Sequence, residues 1–425
     1  MGRKFMKVSV ILMMVLILVF FTGCAKTEKP NPVNTVSPTV VEAKKPEAET
    51  DTKKEEESNA TEETAVSEAD AEAATGQETA AVVGGIMDVY AQYGIKAGTC
   101  LSDMMITQSK FTDIITGNFN SVTLENFMKP DYILNKERSI ETGELSVEFK
   151  KNTTTLLDWA KNNKMAVRGH VLVWYSQTPD WIFYEDFDTS KNLVDRDTML
   201  TRMEGYIKQA FEQLELLGYS DIFYAYDIVN EAIMEDGSYR DCLWKQIIGD
   251  DYIWYAFKYA DQYAPEHIKL YYNDYNEQFK TAHIVKLAQS LVDTDGRSLI
   301  DGIGCQGHLY TQDSISSYIT TLKAFSALGL DVQITELDVS LGTWQNIFEA
   351  SEDNLKAQGQ YYYELINRII EENVAGGTRV SGITFWGFAD NLSWRRDRSP
   401  LLFDGALVPK YSYHGAKQDR LNAGY

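Results

Sequence analysis

The chain has 425 residues, 44% of them hydrophobic, and a formal net charge of −22 at pH 7. That length and apolar content suffice for one large core plus additional segments. The acidic balance, with no basic cluster in the region that carries the core, argues against nucleic acid as a partner and fits a neutral substrate.

Residues 1–24 open with Arg3, Lys4 and Lys7, then an almost unbroken apolar run from Val8 to Phe21. This is a signal-peptide pattern. The run ends in Phe21-Thr22-Gly23-Cys24, which resembles the lipobox of bacterial lipoproteins, where the cysteine is lipidated and becomes the mature N-terminus. The small residues directly before Cys24 favour this over an ordinary cleaved signal or an uncleaved anchor. The expected location is therefore the outer face of a bacterial membrane, held by a lipid on Cys24. Residues 25–82 contain 6 Lys, 14 acidic residues and no aromatic residue. Such a segment buries too little apolar surface to offset chain entropy, so we read it as a disordered linker. As a coil its 58 residues reach on the order of 40 Å, enough for a tether.

Residues 83–425 form the expected globular domain. Short apolar runs alternate with longer amphipathic ones. Candidate strands cover 94–100, 121–125, 165–174, a run ending at Glu231, 268–273, 302–308, a run ending at Glu336, and 382–388. Helical spacing marks 149–162, 198–217, 253–263, 281–291 and 355–372. Eight repeats of strand and helix predict an α/β fold, a single (β/α)8 TIM barrel. A doubly wound open sheet is the alternative, but no Gly-rich phosphate loop follows any strand. After Cys24 only Cys100, Cys242 and Cys305 remain. They make no disulfide framework and show no metal-ligand spacing, so they are expected as small buried hydrophobes, with no metal and no cofactor.

The chemistry collects at the predicted strand ends. Glu231 and Glu336 stand 105 residues apart, each closing an apolar run. The C-terminal rim of a (β/α)8 barrel carries its active site. Other strands deliver Glu125, Asn126 and Lys129; His170, Trp174 and Gln177; Asn230; Tyr275; Gln306 and His308; Trp386 and Trp394. Singly, each is ordinary: a satisfied core His, a packing Trp, a solvated Lys. The bland alternative for the glutamate pair is a buried salt bridge with Lys129 or Arg168, which the residues favour less. Two carboxylates among tryptophans and amides fit glycoside hydrolysis, which needs a proton donor for the leaving oxygen and a carboxylate for the anomeric carbon. Aromatic faces suit the C–H faces of sugars, and amides suit hydroxyls.

Nine motifs in order then resemble glycoside hydrolase family 10, the endo-1,4-β-xylanases. They are Thr123-Leu124-Glu125-Asn126 with Met128-Lys129-Pro130; Arg168-Gly169-His170-Val171-Leu172-Val173-Trp174; Ser176-Gln177-Thr178-Pro179; Asp227-Ile228-Val229-Asn230-Glu231-Ala232; Tyr272-Asn273-Asp274-Tyr275-Asn276; Gly302-Ile303-Gly304-Cys305-Gln306-Gly307-His308; Ile334-Thr335-Glu336-Leu337-Asp338; Phe385-Trp386-Gly387-Phe388; and Ser399-Pro400-Leu401-Leu402-Phe403-Asp404. The resemblance implies a retaining mechanism with Glu231 as acid/base and Glu336 as nucleophile. It implies that Asn230 bonds the sugar 2-hydroxyl. Glu125, Asn126, Lys129 and Gln177 would bind sugars on the non-reducing side, and His170, Trp174, Trp386 and Trp394 would frame the sugar at the cut. Gln306, His308 and Tyr275 would line the site, with His308 partnering Glu336 and oriented by Asp338. The implied ligands are xylan and xylo-oligosaccharides, bound by a monomer. Two positions depart from the family pattern: Tyr175 where His is usual, beside the acid/base, and Tyr226 where Trp is usual, expected as packing.

Overall fold

In the computed structural model, residues 84–419 are described; residues 1–83, on which the expected signal peptide, Cys24 and the expected linker fall, and residues 420–425 lie outside them. The strands are β1 (Lys96–Cys100), β2 (Ser121–Thr123), β3 (Ala166–Val173), β4 (Phe223–Asn230), β5 (Lys269–Asp274), β6 (Gly302–Cys305), β7 (His308–Tyr310), β8 (Asp331–Ser340) and β9 (Val380–Phe385). All pairings are parallel, in the order β6-β5-β4-β3-β2-β1-β9-β8, and a β6–β8 pairing closes the ring. Nearly every strand residue is buried. Strands covered on both faces must be apolar throughout, which is why they read as runs rather than alternations. This is the expected eight-stranded (β/α)8 barrel.

The five expected helices form, at Lys151–Asn162, Arg196–Leu216, Tyr252–Tyr263, Glu277–Ser290 and Glu352–Val374. Two start on side-chain caps: Asp195 accepts from Thr198 N at 2.8 Å, and Ser351 from Asn354 N at 3.3 Å. Such caps satisfy backbone donors that the first helical turn leaves free. Helix Arg196–Leu216 buries Met199, Met203, Tyr206, Ile207, Phe211 and Leu214. Tyr226 packs there, its ring 5.5 Å from that of Phe211 and 6.1 Å from that of Phe223. A Cβ at Gly169 would stand 2.3 Å from the Tyr226 ring, so the neighbouring strand needs glycine at that point.

Three of the boundaries that differ from the sequence reading shape the site. The second strand stops at Thr123, because the chain turns at once through Glu125 to Met128. The sixth breaks between Cys305 and His308, where Gly307 takes φ +70°. The seventh does not end at Glu336 but runs to Ser340, because β7 pairs with Asp338–Ser340. Register shifts fall at Val167/Arg168, His170/Val173, Asp227/Val229, Val332/Gln333 and Ile334/Leu337. His170/Val173, Asp227/Val229 and Ile334/Leu337 lie towards the C-terminal end of the barrel, and such irregularities re-aim side chains near functional sites.

Candidate active site

Glu231 follows directly on the last residue of β4 and adopts a left-handed backbone, φ +56°. For a residue with a side chain this costs roughly 1–3 kcal/mol, and it persists only where the surroundings impose it. Here they do. Glu231 N donates to Asn273 O at 2.9 Å, and Arg240 Nε donates to Glu231 O at 2.8 Å. The next two amides, Ala232 N and Ile233 N, both donate to the Tyr272 hydroxyl at 3.1 Å. That hydroxyl in turn donates to Asp274, which Lys280 holds from the other side. Burial pushes the Asp274 carboxyl up to about 6, with Lys280 and the Tyr272 bond opposing it.

Glu336 projects from within β8. Asn273 Nδ2 donates to its Oε1 at 2.9 Å, and His308 Nε2 lies 3.3 Å from its Oε2. Burial alone would raise this carboxyl; the His308 bond and the neighbouring His170, His308 and Lys129 outweigh it and bring it down to about 2. The reverse holds at His308. Desolvation would lower its pKa, but Asp338 and Glu336 raise it to about 9. His308 Nδ1 stands 3.0 Å from Asp338 Oδ2, and Asp338 also accepts from Trp394 Nε1 and Arg395, both at 3.1 Å. A depressed carboxylate pKa beside a protonated imidazole describes an ionised Glu336.

Amides link the two glutamates. Gln306 Nε2 donates to Glu231 Oε1 at 2.9 Å and to Asn230 Oδ1 at 3.2 Å. Asn230 Nδ2 donates to Glu231 Oε1 at 3.3 Å. Asn273 Nδ2 reaches both Asn230 Oδ1, at 3.0 Å, and Glu336. Thr335 fixes the other end of Asn273 at 2.6 Å. A Cβ on Gly304 would sit 2.3 Å from Asn273 Oδ1, so glycine makes room for this relay. The ion-pair alternative fails: Arg168 is committed to Asp227, and Lys129 hydrogen-bonds Asn126 at 2.9 Å and Gln177 at 2.7 Å.

Around this floor, His170 is held by Asp227, Nδ1 to Oδ2 at 2.9 Å, and stands edge-on to Trp386 at 5.6 Å. Trp394 packs edge-on against His308 at 5.1 Å. The Lys129 ammonium lies 5.0 Å from the centroid of Trp174. Glu125, Asn126, Lys129, His170, Trp174, Gln177, Asn230, Glu231, Tyr275, Gln306, His308, Glu336, Trp386 and Trp394 all line one cleft of about 540 Å³. The structure therefore brings every expected site residue of the domain together; Cys24 lies outside the described residues.

Tyr175, Asn276, Tyr310, Trp344 and Arg395 line the cleft as well. Arg240 supports it, with its guanidinium 4.3 Å from the Tyr175 ring and bonded to the Tyr275 hydroxyl at 2.9 Å. Burial and then the nearby Glu231 carboxylate push the Tyr175 hydroxyl up. Asp227 had a readable signal: a charge inside an apolar strand must be paired. Arg240 and Trp344 had none, since each sits in an irregular loop with no periodicity.

The profile of glycosyl hydrolase family 10 matches residues 85–419. The chain is 35% identical over 332 residues to endo-1,4-beta-xylanase B of Butyrivibrio fibrisolvens, covering 75% of this chain and 51% of that one. It thus spans about half the length of that relative, and 32% of two others from Ruminococcus flavefaciens and Acetivibrio thermocellus. Its fold is similar to the Clostridium thermocellum endo-1,4-beta-D-xylanase 10B crystallised with xylohexaose, at TM-score 0.72, 33% identity, and coverage of 79% of this chain and 68% of that one. The endo-1,4-beta-xylanase from Caldicellulosiruptor owensensis superposes at TM-score 0.68 with 32% identity, covering 79% and 99%. With all but one of the described residues inside that match, and the glutamate pair in a (β/α)8 cleft, the chain belongs to glycosyl hydrolase family 10.

Proposed function

We propose that this chain is an endo-1,4-β-xylanase that cleaves internal β-1,4-xylosidic bonds of xylan with retention of configuration. The observation that carries the reading is the amide relay of Asn230, Gln306 and Asn273 joining Glu231 to an ionised Glu336 on one cleft floor. Glu336 attacks the anomeric carbon while Glu231 gives its proton to the leaving oxygen. The pair becomes a neutral glycosyl ester and a Glu231 carboxylate. That carboxylate then takes a proton from water, which attacks the anomeric carbon and releases Glu336. Glu125, Asn126, Lys129 and Gln177 hold the sugars on the non-reducing side, and His170, Trp174, Trp386 and Trp394 frame the sugar at the cut.

Xylose as the unit rests on the similarity to xylanases, and Gln177, Trp386 and Arg395 line the cleft. Xylose lacks the C5 hydroxymethyl group that a cellulose-type glucan would have to fit there. Xylotetraose should be hydrolysed and cellotetraose much more slowly; faster hydrolysis of cellotetraose would refute the substrate assignment.

We further propose export and lipid anchoring through Cys24, with the linker as tether. The lipobox-like end of the apolar leader supports this. Expressed in a bacterium grown with radiolabelled palmitate, the protein should sediment with membranes and carry the label, and Cys24→Ala should carry none. Equal labelling of the variant would refute the anchor.

A further inference from the structure

Trp344 is 73% exposed, more than Trp394 at 60%, and these are the two exposed tryptophans among the described residues. It lines the same cleft as Glu231 and Glu336. Its backbone is not loose. Gly342 and Ile347 form an antiparallel bridge, Thr343 N donates to Asn346 O at 2.8 Å, and Asn346 N donates to Thr343 Oγ1 at 3.0 Å. Gly342 N is tied to Thr311 Oγ1 at 2.9 Å, on the neighbouring loop. Gly342 takes φ +94°, and a Cβ there would meet Asn346 O at 2.2 Å, so glycine makes the turn this tight. A rigid turn thus presents a bare indole at the edge of a cleft instead of folding it inward.

The barrel order fixes which edge. The turn follows β8, which stands four strands from β3 in a ring of eight. It lies across the barrel from the loop after β3 that carries Gln177, and three strands from the loop after β2 that carries Asn126 and Lys129. In the binding mode proposed above, a sugar chain held by those polar groups at its non-reducing end runs past the two glutamates towards this wall. The two walls differ in chemistry: a hydrogen-bonded ammonium and amides on one side, an unpacked aromatic face on the other. Aromatic faces stack on sugar rings with little demand on hydroxyl orientation.

We infer that Trp344 is a stacking platform for a sugar unit on the leaving-group side of the cut, a unit that departs with the reducing-end product. This rests on the xylanase reading above and adds to it a determinant of preference for long over short substrates. Binding energy from a remote sugar acts on transition-state stabilisation only when that sugar is present. The substitution should therefore act selectively by substrate.

The test compares Trp344→Ala and Trp344→Phe with the unaltered chain on two substrates. Xylohexaose is long enough to cross the cleft. β-Xylobiosyl fluoride has one atom as its leaving group and no sugar beyond the cut. For Trp344→Ala, kcat/KM on xylohexaose should fall about tenfold, the scale of one aromatic contact, with the fluoride unchanged. Trp344→Phe should retain most of the xylohexaose rate. Unchanged xylohexaose kinetics in Trp344→Ala, or equal losses on both substrates, would overturn the platform while leaving the xylanase reading intact. An unaltered chain that turns over neither substrate would sink that reading, and the platform with it.

Discussion

Glu336→Gln is expected to lower turnover of xylotetraose by a factor on the order of 10⁴ or more, with sugar binding retained. Glutamine keeps the size of the side chain and an oxygen to accept from Asn273. It has no charge with which to attack the anomeric carbon. Losing the covalent step removes the group that divides one high barrier into two lower ones. The pKa of about 2 makes the claim sharper, because the wild-type carboxylate stays ionised through ordinary acidic pH. An acid-side loss of activity above about pH 3 must then come from another group. The same shift affects stability with a definite sign. A depressed carboxylate stabilises the fold above its unfolded pKa of about 4.5, and that contribution is lost as pH falls towards 2. A residual rate within tenfold of wild type in Glu336→Gln would remove Glu336 as nucleophile.

Glu231→Ala should behave differently according to the leaving group. On xylotetraose the loss should be about 10²–10⁴-fold, the usual worth of positioned proton transfer. On 2,4-dinitrophenyl β-xylobioside the leaving phenolate needs no proton, so formation of the glycosyl-enzyme should be nearly normal. Its hydrolysis should stall, because the base that activates water is gone. Azide needs no such base, and adding it should restore turnover and yield a β-xylobiosyl azide. Equal loss on both substrates, with no azide effect, would mean that Glu231 serves the structure and not the proton. The distinction matters because Glu231 occupies a strained backbone position that Tyr272, Asn273 and Arg240 hold in place. Alanine at this position leaves those backbone bonds available, so the strained turn should survive the substitution.

Much of this arrangement could be read from the chain because parallel barrel strands are buried on both faces and end where their chemistry begins. Glu231 stands out as a carboxylate closing an apolar run, and the structure puts it one residue past β4. β8 runs on to Ser340, and the chain carries the signal for it. Leu337, Val339 and Leu341 alternate with Asp338 and Ser340, a period-two pattern that continues past Glu336. The helix Ile315–Ser326, outside the five expected ones, also has a legible pattern, with Ile315, Tyr318, Ile319, Leu322 and Phe325 at helical spacing. Other features could not be read. Arg240 reaches Glu231 O and the Tyr175 and Tyr275 rings through a loop without regular pattern. The chain from Tyr272 through Asp274 to Lys280 works only once β5 lies beside β4. Trp344 is a lone aromatic in sequence, and its place in the cleft depends on the Gly342–Ile347 bridge.

The retaining double displacement by Glu231 and Glu336 is tested most directly by time-resolved proton NMR of the purified protein with xylotetraose. The account predicts that the newly formed reducing ends appear first as the β-anomer, with α-anomer growing in only at the rate of mutarotation. Appearance of the α-anomer first would mean a single inversion, with water and not Glu336 attacking the anomeric carbon, and would contradict the account at its centre.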